Sequence, residues 1–255
     1  MTTTKSAAMR IATWNLERPD PADTARNRAR MEKICEIDAD LWILTETHDV
    51  MDLSGSHHGA ATTPSVRKSR PGEACATVWS RWPILRRIDT SDLSEAVCVE
   101  VAYPEGPLLV YGSIIAYADY KGPDGNSQKW EEHYRFIEWH GRDWKRLRAE
   151  FPHHRLITGG DYNQNRDGAR WYGTRKGREL LTSALSDAGL KCVTEEDFVM
   201  SGKLQGRHTV DHLCMDEALA ARFVGVNAWE RTRADGMRLS DHSGILVDLA
   251  EYSPS

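Results

Sequence analysis

The sequence predicts an α/β fold in which β-sheets are covered by helices, and three observations carry that prediction. Nine apolar runs of strand length recur along the chain, three longer stretches repeat apolar residues at helical spacing, and 255 residues with 40% hydrophobic content are enough to bury a sizeable core. Many strands against few long helices favour sheets with helical covers over a bundle.

The first strand is RIATWNL at 10–16, followed by a helical pattern, RNRARMEKICEI, at 26–37 and a second strand, LWILTE, at 41–46. The segment from Asp49 to Gly72, rich in Gly, Ser, His and Pro, is expected to be a long surface loop. Three strands follow: ACATVWS at 74–80, AVCVEVAY at 96–103 and LLVYGSIIAY at 108–117. A long helix is predicted over 130–151, with Trp130, Trp139 and Trp144 near one face as its anchors. RLITGGDY at 155–162, a helix over 177–189, then TVDHLCM at 209–215, FVGVNAW at 223–229 and GILVDLA at 244–250 complete the series. No linker, low-complexity tract or short repeat interrupts it. A single domain over 9–250 is expected, with residues 1–8 as a disordered tail.

Composition excludes some function classes. A net charge of −5 argues against holding nucleic acid by bulk electrostatics, while leaving room for a local basic strip. The five cysteines, Cys35, Cys75, Cys98, Cys192 and Cys214, are scattered and contain no C-x-x-C pair, which reads as reduced, mostly core thiols. The start, MTTTKSAAMR, lacks the apolar run of a signal peptide, and no stretch has the roughly 18 apolar residues of a membrane helix. The expected setting is the cytoplasm, with no membrane partner. His57-His58 has no carboxylate or thiol at ligand spacing and is not a metal motif.

Polar residues fall at the ends of the predicted strands. Asn15 closes the first, Glu46 the second, Asp161 and Asn163 follow RLITGG, Asp211 lies within TVDHLCM, and Asp241 and His242 precede the last strand. A hard cation such as Mg²⁺ is satisfied by carboxylate and amide oxygens, so Glu46, Asp241 and Asn15 form a candidate metal set. Asp161 suits the orientation or deprotonation of a water. His242 suits the balancing of charge on a phosphoryl oxygen if a carboxylate holds it charged, with Asp211 as that partner. Alone, Asn15, Glu46 and GGDYN read as ordinary turn or surface groups and His242 as a structural histidine, whereas Asp211, inside an apolar strand, is a buried acid that needs a partner; the joint pattern is what is specific.

With these residues in view, the chain resembles the endonuclease/exonuclease/phosphatase superfamily, which includes deoxyribonuclease I and exonuclease III-like enzymes. The resemblance rests on TWN at 13–15, the Glu of LTET at 46, SRWPI at 80–84, AYAD at 116–119, GGDYN at 159–163, VDH at 210–212 and SDH at 240–242. It implies a four-layer α/β sandwich, two central, mostly antiparallel sheets flanked by helices, and phosphoester hydrolysis with Mg²⁺ or Mn²⁺. It implies roles too: Glu46 as main metal ligand, Asn15 and Asp241 beside the metal, Asp161 activating water, Asn163 orienting water or phosphate, and His242 with Asp211 stabilising phosphate charge. Tyr117 matches a looser position, a phosphate contact or an aromatic packed at a strand end.

The substrate is expected to be nucleic acid or a nucleotide-like phosphodiester. A phosphomonoesterase, a lipid or inositol phosphate hydrolase, and an inactive binding module are the alternatives. Thr45-Glu46 and Asp211-His212 depart from the abasic endonucleases, which commonly carry Gln-Glu and Asp-Tyr there, and speak against abasic-site specificity. The stretch after GGDYN interleaves Arg166, Arg170, Trp171, Tyr172, Arg175, Lys176 and Arg178, which reads equally as a surface for phosphates and bases or as a solvated loop. Of these, Arg166, Arg170, Trp171 and Arg175 are the candidate substrate contacts. A second stretch with Lys121, Lys129, Trp130 and Tyr134 offers another wall or a helix start. With no long amphipathic seam, a monomer is expected.

Overall fold

The computed structural model describes residues 9–64 and 70–251. Its strands form two six-stranded sheets. The first runs in the order β11 (Phe223–Trp229), β12 (Gly244–Leu249), β1 (Met9–Asn15), β2 (Leu41–His48), β4 (Glu73–Ser80), β3 (His58–Ala61). The second runs β5 (Ile84–Ile88), β6 (Ala96–Val101), β7 (Leu108–Ile114), β8 (Arg155–Asp161), β10 (Asp211–Asp216), β9 (Leu190–Cys192). Among these strands β1 with β2 and β7 with β8 pair in parallel and every other pair is antiparallel.

Alternation along each strand explains the layers. Met9, Ile11, Leu41, Ile43, Leu108, Val110, Ile157, Leu213 and Val247 meet in the layer between the sheets. Their neighbours of opposite parity face outward: Ala12, Trp14, Trp42 and Leu44 pack on Ala29 and Ile34 of α1 (Thr24–Ile37). Leu109, Tyr111 and Leu156 pack on Phe136, Trp144, Leu181 and Leu185 of α2 (Glu131–Glu150) and α3 (Arg175–Asp187). Strands buried on both faces read as continuous apolar runs, which is why they were legible in the sequence. The four-layer sandwich is the observed architecture.

Helix ends follow local chemistry. Asp23 accepts from the Arg26 amide at 3.2 Å to start α1, and Thr174 accepts from the Gly177 amide at 2.9 Å to start α3. Trp130, expected inside the second helix, precedes it in a left-handed conformation, with φ of 70°. Three short strands and a fourth helix escaped the sequence reading. β3 runs through the segment expected as a loop over 49–72, β5 and β9 are brief edge strands, and α4 (Glu217–Ala220) is a single turn. Three to five residues show too little periodicity to be read. Residues 65–69 of that segment and the expected tail, 1–8, lie outside the described residues.

The Gly159-Gly160 pair draws β8 tightly against its neighbours. A Cβ on Gly160, at φ of 128°, would collide with the Ser113 carbonyl oxygen, and one on Gly159 would sit 2.7 Å from Leu213 Cδ2 and 2.8 Å from the His212 oxygen. The pair therefore fixes how close β8 lies to β7 and β10 just before Asp161.

Candidate active site

Strand parity assembles the site before any chemistry is invoked. Asn15 shares a face with Ile11 on β1, Asp161 with Ile157 on β8, and Asp211 with Leu213 on β10, all three apolar residues lying between the sheets. Asn15 Nδ2 donates to Asp161 Oδ2 at 3.1 Å, joining the two sheets at that end. Asp161 and Asp211 stand directly opposite each other in the β8–β10 register, both buried, an arrangement that repels when both are ionised.

His242 relieves that repulsion. Its Nδ1 donates to Asp211 Oδ2 at 2.7 Å, while Nε2 stands 3.9 Å from Asp161 Oδ2 and 4.0 Å from Asp241 Oδ1. The segment is pinned to β1: Ser240 Oγ donates to the Asn15 carbonyl at 2.6 Å and accepts from the His242 amide at 3.1 Å, and Trp14 Nε1 donates to the His242 carbonyl at 2.9 Å. Burial disfavours the charged ring, but Asp211, then Asp161 and Asp241, outweigh it and raise His242 to about 10. Burial pushes Asp161 up to about 7 against the pull of His242, with Asp211 and Glu46 adding to the rise.

Asn163 completes the turn after β8. Its amide donates to Asp161 Oδ1 at 2.9 Å and its Nδ2 to the Ile115 carbonyl at 3.0 Å, with the backbone left-handed at φ of 47°. Glu46 is left-handed as well, at φ of 47°. By alternation it would follow Trp42 and Leu44 toward α1; the break in the pleat brings its carboxylate within hydrogen-bond reach of Asn15 and 3.5 Å from Arg18 Nε. Burial raises the Glu46 pKa, and Asp241 adds to the rise against Arg18, Asn15 and His242.

Oxygen donors in excess of positive charge are what a hard cation requires. Asp161, Asp211 and His242 offer atoms within 4.8 Å of one another, yet the Asp211–His242 bond occupies one atom of each, leaving the second Asp211 oxygen, Oδ1, buried and unpartnered. Glu46, Asp161 and Asp241 remain as carboxylates coupled across the same space, with Asn15 between two of them. The set fits a divalent cation. A second trio, Asp167, Asp197 and His208, is held as an ion-paired knot, with His208 Nδ1 2.9 Å from Asp167 Oδ2 and 3.4 Å from Asp197 Oδ1.

The expected substrate contacts divide. Trp171 and Tyr117 are exposed, and Trp171 and Arg207 line a small cleft with Asp211, Asp241 and His242. Arg170 is exposed in a left-handed turn on the same loop. Arg166 is not presented to solvent: Nε bonds Glu195 at 2.8 Å and Nη1 bonds Thr182 Oγ1 at 3.2 Å, so it ties β8's loop to α3. Arg175 pairs with Glu179 one turn along α3. The loops beginning at Tyr117 and at Gln164 join through Tyr172, whose hydroxyl accepts from the Ala118 amide at 3.1 Å and whose ring meets Trp130.

Sequence reasoning missed Arg18, Gln164 and Arg207. Arg18 bridges Glu46 and Glu73, Gln164 accepts from His212 Nε2 at 2.8 Å, and Arg207 donates to the Asp241 carbonyl at 3.0 Å with its guanidinium 4.9 Å from the Trp171 ring centre. Lone cations in loops carry no periodic signal.

No protein-family model matches the chain, and no curated protein matches it in sequence. Solved structures do. A 3′ phosphatase, NExo, from Neisseria, bound to a product DNA hairpin, is 16% identical with a TM-score of 0.69, covering 96% of this chain and 100% of that one. An AP endonuclease from Archaeoglobus fulgidus is 13% identical with a TM-score of 0.66, covering 94% and 99%. The endonuclease domain of TRAS1, a telomere-specific non-LTR retrotransposon, is 16% identical with a TM-score of 0.61, covering 96% and 100%. At these identities the likeness is one of fold.

Proposed function

We propose that this chain, which has the fold of the endonuclease/exonuclease/phosphatase superfamily, is a divalent-metal-dependent phosphodiesterase that cleaves nucleic acid. The observation that carries the reading is His242 held as an imidazolium between Asp211 and Asp161, beside carboxylates Glu46 and Asp241. Glu46 and Asp241, with Asn15 alongside, would hold a Mg²⁺ or Mn²⁺ ion, which when bound would supply Lewis-acid polarisation of the phosphoryl group. Asp161 takes the proton of the attacking water, its position fixed by the Asn15 and Asn163 donors. His242 donates a charge-assisted hydrogen bond to a phosphoryl oxygen as negative charge builds, and Asp211 keeps the ring oriented and protonated.

Trp171, Arg170 and Arg207 supply a stacking surface and cations beside the cleft, and Tyr117 stands exposed on the adjoining loop. The Neisseria protein with its DNA hairpin supports a polynucleotide substrate. Because that protein is a 3′ phosphatase, removal of a terminal phosphate from DNA is the second reading. We take the working unit to be one domain over 9–250 and a monomer. No helix among the described residues is long and apolar enough to cross a membrane, and the unpaired thiols suit the cytoplasm.

The test is hydrolysis of plasmid, single-stranded DNA, RNA and 3′-phosphorylated DNA with Mg²⁺ or Mn²⁺, for the native chain and for Asp161→Ala and His242→Ala. Polynucleotide cleavage that falls by about 10²–10⁴-fold in each variant, with the fold retained by circular dichroism, is expected. Turnover confined to the terminal phosphate would select the second reading. Undiminished turnover in both variants would sink the mechanism.

A further inference from the structure

Beside the candidate active site, on the face of the second sheet turned toward α2 and α3, two cysteines meet. Cys192 on the edge strand β9 and Cys214 on β10 are direct partners in the antiparallel register. Opposed residues in such a pair have Cβ atoms about 4.5–5.5 Å apart, and a disulfide needs about 3.5–4.5 Å, so closure takes a shift of about an ångström. β9 has three residues and a free edge, which makes it the element able to give.

The surroundings set Cys192 apart from the other thiols. His212 Nδ1 is 3.8 Å from Cys192 Sγ, its Nε2 is engaged with the Gln164 carbonyl, and Thr194 Oγ1 lies 3.5 Å from the same sulfur. Burial opposes a thiolate there, yet the neighbouring Cys214 thiol and the charges of His212 and Arg166 outweigh it and hold the Cys192 thiol well below its ordinary value. Burial drives Cys75 and Cys98 the other way, and Cys75 Sγ donates to Glu95 at 3.3 Å. Cys192 is half-buried on the edge strand, and Cys214 is fully buried behind it.

We propose that Cys192 and Cys214 are a redox-active pair that closes to an intrachain disulfide when the protein meets a peroxide. The Cys192 thiolate attacks one peroxide oxygen, the O–O bond breaks, and Cys192 becomes a sulfenic acid while the departing hydroxide takes up the proton Cys192 released on ionising and leaves as water. Cys214 then attacks the sulfenic sulfur, the S–O bond breaks, and the Cys214 proton leaves with the hydroxide as a second water. Two thiols lose two electrons and two protons; one peroxide is reduced to two waters. The link ties β9 to the strand that presents Asp211 to His242.

The experiment is peptide mapping of the whole chain by mass spectrometry under non-reducing conditions, before and after hydrogen peroxide. Trypsin cuts after Lys191, Lys203, Arg207 and Arg222, so the two cysteines fall in separate peptides. The expected result is one linked species, lighter than the two peptides by two hydrogens and released by dithiothreitol. Cys214→Ser should instead accumulate one oxygen on Cys192, and Cys192→Ser should leave Cys214 reduced. A native chain whose Cys35, exposed on α1, is oxidised while the linked species is absent would overturn the proposal. So would a native chain in which Cys192 gains oxygen and Cys214 stays a free thiol.

Discussion

Glu46 shows at the residue scale how a site is made against local preference. A left-handed φ costs an ordinary L-residue about 1–2 kcal/mol, and here it turns a carboxylate out of the pleat toward Asn15. Glu46→Gly should therefore leave metal-free stability unchanged or slightly raised while abolishing stabilisation by Mg²⁺ or Mn²⁺; a metal response equal to that of the native chain in a thermal melt would remove Glu46 from the ligand set. Asp211 makes the complementary case. Its carboxylate is the strongest influence holding His242 charged, so Asp211→Asn should move the His242 titration from about 10 back toward the ordinary 6.5 and cost about 10²–10⁴-fold in turnover. An unmoved His242 resonance in a pH series of NMR spectra would contradict this.

At the scale of elements, β8 and α2 carry the constraints. Gly160→Ala would force a Cβ into the Ser113 carbonyl at a backbone angle that L-residues avoid, and should cost about 3 kcal/mol in a denaturant titration; a loss below about 1 kcal/mol would show that β8 can back away from β7. α2 buries His133 and His140, each bonded through a ring nitrogen to a carbonyl of the segment leaving β7: His133 Nδ1 to Ala116 at 2.8 Å and His140 Nε2 to Ile114 at 3.1 Å. Burial lowers both pKa values below the free value of 6.5. With the folded value depressed, the unfolded chain takes up protons below pH 6.5 that the folded chain refuses, so these two histidines weaken the fold as pH falls through 6.5. Both rings should titrate by NMR with midpoints below 6.5, and a His140 midpoint at or above 6.5 would contradict the assignment.

Across the whole molecule, the surplus of carboxylates where the sheets join predicts a linked effect. A divalent ion that binds the folded state alone should stabilise the chain by about 2.7 kcal/mol at a free concentration a hundred times its dissociation constant, and EDTA should reverse it. A melting midpoint indifferent to Mg²⁺, Mn²⁺ and EDTA would mean that no ion is held. The sequence by itself determined that Asn15, Glu46, Asp161, Asp211 and Asp241 with His242 lie at or near strand ends, and the doubly buried strands betrayed themselves as apolar runs. Short edge strands such as β3 and β9 stayed hidden because they owe their existence to a neighbour's hydrogen bonds rather than to their own pattern. Tertiary structure alone decided the partners. It set Asp161 opposite Asp211, spent Arg166 on Glu195 where the sequence had offered it to substrate, and brought Arg207 over Trp171 beside His242. Periodicity states which way a side chain faces; which charge it meets depends on contacts between segments dozens of residues apart, and those exist only once the two sheets have closed on each other.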